Sequence, residues 1–305
     1  MEDHRMTALP NEFSPEQLVE KLGALMDLEQ IEEDLFRGPR TDEPWTRVFG
    51  GQVVGQALMA ATRTVGEDRA VHSLHSYFMR PGDPGIPIVY QVSRDRDGKS
   101  FTSRRVVAMQ RGKPILNLAA SFHVREEGRH HQWDMPDVPG PEGLTTDREL
   151  SWDSRERIPP ARWPLVFRQR PIDMRPLHPR PVDHTPLPPL QSFWMRSVAP
   201  LPDDPRLHRV LLGYATDLML LGTCVRPHGL HWLLGNLDEA SLDHAVWFHD
   251  EFRLDDWLLY TQDSPWAGGG RGINRGLIYT RDGRLVASVV QEGLIREARP
   301  NKPMQ

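Results

Sequence analysis

Residues 207–224 read LHRVLLGYATDLMLLGTC. Leucine, methionine, valine and alanine fall on nearly every side of a helix drawn through this stretch. That pattern predicts a helix enclosed by other elements rather than one lying on a surface. From Val210 to Cys224 the only charged residue is Asp217. A lone carboxylate in such surroundings is costly unless it is paired, hydrogen-bonded or chemically used. A structural hydrogen bond and a catalytic role are both open for it at this point.

The flanks of this helix decide the fold class. A strand-like run, LQSFWMRSVA (190–199), precedes it, and runs at 241–249, 256–264, 272–280 and 284–296 follow it. The same order occurs earlier in the chain. A possible strand at 31–38 precedes FGGQVVGQALMAATRTVG (49–66). There Val53, Val54, Ala57, Leu58, Ala61 and Val65 have helical spacing, and Gly50, Gly51 and Gly55 allow close approach. Strand-like runs at 71–79, 86–95, 101–110 and 114–124 follow, divided by the turn signals Arg80–Asp83, Asp97-Gly98 and Arg111–Pro114. The last strands align as GKPILNLAASF, from Gly112, against GRLVASVVQEG, from Gly283. Strand, helix and four strands, twice, predict a pair of α+β units, 1–125 and 190–305, each with an antiparallel sheet around one helix. A capped amphipathic helix over 14–28 lies before them, with Leu18, Leu22, Leu25 and Met26 on one face.

Residues 126–189 have a different character. Thirteen prolines fall between Pro136 and Pro189, a density that argues against regular helix and central strand. An extended linker is expected, packed on the surface because Trp133, Trp152, Trp163 and Phe167 need cover.

Composition excludes several classes. The net charge of −5 lacks the electrostatic footprint of a general nucleic-acid binder. Cys224 is the sole cysteine, which rules out an intrachain disulfide or a thiolate metal cluster and fits a reducing compartment. Its apolar neighbours predict an inert, buried thiol. No apolar run approaches the roughly 20 residues of a membrane span. The opening MEDHRMTALPNEF is too polar for a signal peptide, and the closing KPMQ is not a peroxisomal SKL-type address. A soluble cytoplasmic protein is expected.

Other polar candidates cluster late in the chain. In the final strand, LVASVV gives way to Gln291-Glu292-Gly293; alternation puts Ala287, Val289 and Gln291 on one face, so Gln291 is expected to face the core. Its amide is suited to holding a carboxylate and a water together, or simply to bonding backbone. In ASLDHAVWFH (240–249), Ser241, Asp243 and His249 share strand parity and His244 faces the other way. No HExxH-type spacing supports a metal there, and no GxSxG elbow supports a serine nucleophile. The run Ala267–Gly272, AGGGRG, lacks the Walker lysine and precedes a strand, so it is no nucleotide-triphosphate loop. Its Arg271 is a candidate for contacting a ligand phosphate, with a structural ion pair as the alternative.

Eight segments taken together resemble a known family. IEEDLFRG (31–38), VFGGQVVGQAL (48–58), VHSLHSYFMRPGD (71–83), GKSFTSRRVVAMQRGKPI (98–115), LLGYATDL (211–218), LDHAVWFH (242–249), WLLYTQDS (257–264) and LVASVVQEG (285–293) resemble bacterial acyl-CoA thioesterase II, in order, from about residue 17 to 296. The resemblance implies a double hotdog fold and hydrolysis of fatty acyl-CoA, without metal, cofactor or covalent acyl-enzyme. It implies a catalytic trio that falls here on Asp217, Ser241 and Gln291. Ser241 stands where threonine is the usual residue, and the hydroxyl is retained. A homo-oligomer, dimer or tetramer, is expected. Another hotdog acyl-CoA enzyme such as a hydratase, or a non-catalytic acyl-CoA binding protein, is the alternative.

Overall fold

The computed structural model describes residues 9–41 and 46–298. Residues 1–8 of the opening MEDHRMTALPNEF, and the closing KPMQ (302–305), lie outside the described residues. The first helix, α1 (Pro15–Met26), begins with the expected capping box between Ser14 and Gln17 and buries Leu22 and Met26. Residues 31–38, expected as one strand, fall instead in a hairpin, β1 (Glu29–Glu32) and β2 (Leu35–Gly38). Asp34, at φ 59°, makes the turn; aspartate tolerates that left-handed conformation better than most residues.

Helix α2 (Gly50–Thr62) is followed by β3 (Arg69–Phe78), β4 (Ile88–Asp97), β5 (Phe101–Gln110) and β6 (Lys113–Val124). All four strands fall where the turn signals put them. Nearly every residue of α2 is buried, since the helix lies inside the curl of the sheet.

The middle segment differs from the expected extended linker. It carries α3 (Asp147–Asp153), the single turn α4 (Trp163–Val166) and β7 (Ile172–Pro176), which pairs at the sheet edge. Proline is tolerated in these places, at a helix start or on an edge strand. Trp152, Trp163 and Phe167 pack with Ile158, Val166, Val182 and Leu233 in a small core of their own. Trp133 does not; it is 76% exposed. The remainder of the segment covers the back of the second half's sheet, where Trp194 donates from Nε1 to the Pro139 carbonyl at 2.8 Å.

The second half runs β8 (Leu190–Ser197), α5 (Pro205–Ala215), α6 (Gly222–Val225), β9 (Leu237–Ser241), β10 (Asp243–Phe248), β11 (Leu258–Gly268), β12 (Arg271–Thr280) and β13 (Leu285–Glu297). One sheet of 13 strands results, in the order β1-β2-β4-β5-β6-β3-β10-β13-β12-β11-β8-β7, with β9 paired to β13. The order is the same read outward from either side of the β3–β10 seam, where Ala245 pairs with His75. The two halves of this one antiparallel sheet, each curled around a helix and joined at the β3–β10 seam, make the double hotdog. The enclosed helices lie against each other: a Cβ on Gly51 would stand 2.3 Å from the Tyr214 carbonyl oxygen, so only glycine fits there.

The 207–224 stretch departs from the expected continuous helix. α5 stops at Ala215, residues 216–221 form turns, and Met219 has φ 65°. Asp217 therefore stands in the break, not within a helix.

Candidate active site

The break after α5 points Asp217 into a cavity of about 640 Å³. Ser241 closes β9 and also lines that cavity; Gln291, on β13, is fully buried immediately behind them. The structure thus brings together the three residues carried over from the resemblance. Ser241 Oγ donates to Asp217 Oδ1 at 3.2 Å, and Gln291 Nε2 donates to the same oxygen at 2.6 Å. Both bonds fall on Oδ1. Neither reaches Oδ2, which lies beside Gly50 at the start of α2, close enough that a Cβ there would sit 2.7 Å away.

A fourth residue completes the network. Gln291 Nε2 also donates to His244 Nδ1 at 3.1 Å, and His244 Nε2 lies 2.9 Å from Thr216 Oγ1. The Thr216 hydroxyl donates to the Gly213 carbonyl at 3.2 Å, which leaves its oxygen to accept from His244 Nε2–H. That assigns the neutral tautomer with an unprotonated Nδ1. Burial lowers the His244 pKa, against the opposing pull of the Asp217 charge, so the neutral ring is consistent with its site. Turning the Gln291 amide over would set its oxygen 2.6 Å from a carboxylate oxygen. The amide therefore keeps its N–H side toward Asp217, although Oε1 has no partner among the described residues.

His244 was missed in the sequence because strand parity is interrupted. The run at 241–249 is two strands. Ser241 pairs with Gly293 on β9, and Ala245 pairs with Val290 on β10. The register slips by one residue at Leu242, whose amide bonds the Glu292 carbonyl. A one-residue slip reverses faces. Ser241 and His244, which simple alternation separates, therefore converge on Gln291. Asp243 turns away to accept from the Glu292 amide, and His249 bonds Ser288.

Two other candidates resolve differently. Cys224 is buried, with its thiol pushed up to about 11 by desolvation, as an inert thiol should be. Arg271 does not line the cavity. It pairs with Glu292 at 3.0 Å and stands over Trp266, in a structural ion pair. The cationic wall of the cavity comes from elsewhere: Arg47, Arg80, Arg168, Arg170, Arg180, Arg226 and Arg296. Three of these, Arg168, Arg170 and Arg180, belong to the proline-rich middle, which showed no signal of a ligand role in the sequence. Glu239, two residues before Ser241, also lines the cavity; burial raises its carboxyl to about 7 despite Arg47, Arg162 and Arg180 nearby. Among the described residues no helix is long and apolar enough to cross a membrane.

The arrangement can hold a water or a small polar group at Asp217 Oδ2, beside a helix start and an apolar wall of Phe49, Val53, Phe78 and Leu218. Comparison with known proteins accords with it. The acyl-CoA thioesterase family matches residues 169–294, and the acyl-CoA thioesterase N-terminal domain matches residues 41–123. The chain is 43% identical over 282 residues to acyl-coenzyme A thioesterase 8 of Homo sapiens, covering 89% of this chain and 88% of that protein. It is 38% identical over 273 residues to acyl-CoA thioesterase 2 of Haemophilus influenzae, covering 89% and 96%. The crystal structure of an acyl-CoA thioesterase II from Mycobacterium marinum superposes with a TM-score of 0.74 at 41% identity, over 91% of this chain and 98% of that one. With this likeness along nearly its whole length, the chain belongs to the acyl-CoA thioesterase II family.

Proposed function

We propose that the protein hydrolyses fatty acyl-CoA to free fatty acid and CoA by direct attack of water, with Asp217, Ser241 and Gln291 as the catalytic residues. The observation that carries this reading is the division of labour on one carboxylate. Ser241 and Gln291 both bond Oδ1, which fixes the group and leaves Oδ2 without a hydrogen bond among the described residues, beside Gly50 of the cavity wall. Oδ2 accepts a proton from water as the water oxygen attacks the thioester carbonyl. The tetrahedral oxyanion then collapses, the C–S bond breaks, and CoA leaves as a thiolate that takes up a proton. Donors for the oxyanion are supplied by the start of α2. Phe49 gives that helix no side-chain cap, and the Gly50 and Gly51 amides have no hydrogen-bond partner among the described residues. Unspent amides at a helix start are suited to developing negative charge.

Hydration of a double bond needs an acid–base pair at the substrate, and hydratases of this fold usually pair an aspartate with a histidine on one short segment. His244, the histidine nearest the carboxylate network, has both ring nitrogens engaged. We further propose a cytoplasmic homo-oligomer; the single buried thiol fits the compartment, and light scattering of the purified protein tests the assembly. The deciding experiment is free-thiol release from acyl-CoA of graded chain length, palmitoyl-CoA included. Turnover with formation of free acid supports the reading. CoA-thioester binding without turnover would leave a binding protein, and conversion of an enoyl-CoA without thiol release would leave a hydratase.

A further inference from the structure

The arginines around the cavity are not equivalent. Arg170 is answered by Asp147 at 2.7 Å, and Arg47 donates to the Glu239 carbonyl at 2.6 Å. Arg180 and Arg226 form no ion pair among the described residues, although each is largely enclosed. Arg226 is 6% exposed; its Nε donates to the Pro188 carbonyl at 3.1 Å, and its two terminal nitrogens make no hydrogen bond among the described residues while the residue lines the cavity. Arg180 bonds the Leu230 carbonyl through Nη2 and leaves Nε buried without a partner.

Two unpaired guanidinium groups on one cavity wall repel each other and have lost much of their water, an arrangement that costs stability unless an anion answers it. Burial lowers the pKa of both, that of Arg180 to about 10 with the Arg226 charge contributing. Neighbouring carboxylates answer these charges only in part. Asp183 and Glu239 both attract Arg180, yet neither forms an ion pair with Arg180 or Arg226 among the described residues, and Asp183 accepts from the Thr185 amide and faces Arg157 at 3.8 Å. Guanidinium forks match the oxygens of a phosphate.

We propose that Arg180 and Arg226 form an oxyanion subsite in this cavity wall that binds a phosphate of the CoA portion of the substrate. The proposal rests on the thioesterase reading of the same cavity. It gives the middle segment a function: Arg180 lies in it, between Pro179 and Pro181, whose fixed φ limits the conformations open to the arginine's backbone. Arg226 ends α6, nine residues past the catalytic carboxylate, so the same chain break that exposes Asp217 leads to the phosphate wall.

The test compares palmitoyl-CoA with palmitoyl-pantetheine, which keeps the thioester and lacks the phosphates. Arg226→Gln and Arg180→Gln should each raise KM for palmitoyl-CoA about tenfold or more, the usual weight of a charged hydrogen bond, with kcat held within about twofold. The KM for palmitoyl-pantetheine should not follow. Equal damage to both substrates, or none to either, would overturn the subsite. So would damage confined to an acyl-pantetheine ending in a carboxylate, which would place the bound anion at the far end of the acyl chain. Selective damage from Arg271→Ala, with Arg226→Gln silent, would return the phosphate to the Arg271 turn and also overturn it. Arg226→Lys retains charge without the fork and should fall between wild type and Arg226→Gln; it carries the test if the glutamine variant does not fold. Calorimetric titration with adenosine 3′,5′-bisphosphate separates phosphate binding from hydrolysis. If wild type hydrolyses neither thioester but binds this nucleotide, and Arg226→Gln does not, the hydrolase reading fails while the subsite stands. If wild type does not bind it either, both are lost.

Discussion

At the scale of single residues, the site turns on which oxygen of Asp217 is free. Asp217→Asn nearly preserves volume and removes the base, so kcat for acyl-CoA should fall by roughly two to four orders of magnitude, the usual span of general-base catalysis. Full turnover by a folded variant would remove Asp217 from the mechanism. Ser241 is required only for its hydroxyl in this scheme. Ser241→Thr should remain active, Ser241→Ala should lose much of the rate, and mass spectrometry should find no acyl group on the wild-type residue during turnover. His244 acts one step further back by fixing the Gln291 amide. His244→Ala should lower kcat with little change in KM, since the amide is freed without touching the substrate wall. Equal changes in both constants would mean general disorder of the cavity. Asp217 and Gln291 were legible because each is a polar intrusion in an apolar run. His244 was not, because its face depends on a register slip at Leu242 that alternation cannot reveal.

At the scale of elements, the strands were legible and the second helix only in part. Strand order and turns follow from local punctuation, Asp97-Gly98 and Arg281–Arg284 among them. The stop of α5 at Ala215 has no such mark: LLGYATDLMLLG contains no proline, and its helical periodicity continues past the break. Packing ends that helix, through the Thr216 hydroxyl bonded to Gly213 and His244 and the Thr216 carbonyl accepting from Tyr260 at 3.2 Å. The other enclosed helix contributes its first residue to the same place. Gly50→Ala would put a methyl 2.7 Å from Asp217 Oδ2 and 3.0 Å from the Phe78 ring. Alanine is the better helix former by up to about 1 kcal/mol in a helix interior, but Gly50 is the first helical residue and its methyl must displace a hydrogen-bonded carboxylate, so the melting temperature should hold or fall slightly. Displacing the carboxylate by a fraction of an ångström should still lower kcat, and a shift approaching 1 Å should cost on the order of a hundredfold. Unchanged turnover would mean that the methyl is accommodated by Phe78 and that Oδ2 does not need its present position.

At the scale of the whole molecule, two halves of matching strand order carry the one proposed site. In the alignment of the final strands Ala120 stands where Gln291 does, so the first half lacks an amide at that position. The polar groups buried in making the single site give the fold a pH dependence. Burial lowers the pKa of His72, His208, His231, His244 and His249, with His231 held at about 3, next to Arg180 and Arg226. Below pH about 6.5 the unfolded chain protonates these rings and the folded chain resists, so stability is lost as pH falls through that value. Glu239 acts in the opposite sense. Its folded carboxyl keeps a proton up to about 7, while the unfolded one releases it near 4.5, so it favours the fold as pH falls from 7 toward 4.5. The histidines outnumber it, and unfolding free energy from urea titration should decline from pH 6.5 to 5. Each fully displaced proton is worth about 1.4 kcal/mol per pH unit. His231→Gln can still accept from the Leu233 amide and has no proton to take up. It should therefore flatten the decline by up to that amount, whereas Glu239→Gln, which removes the opposing carboxyl, should steepen it. A slope that His231→Gln leaves unchanged would mean that water or movement relieves this ring in the folded protein, and that the cavity wall around Arg180 and Arg226 is wetter than its enclosure indicates.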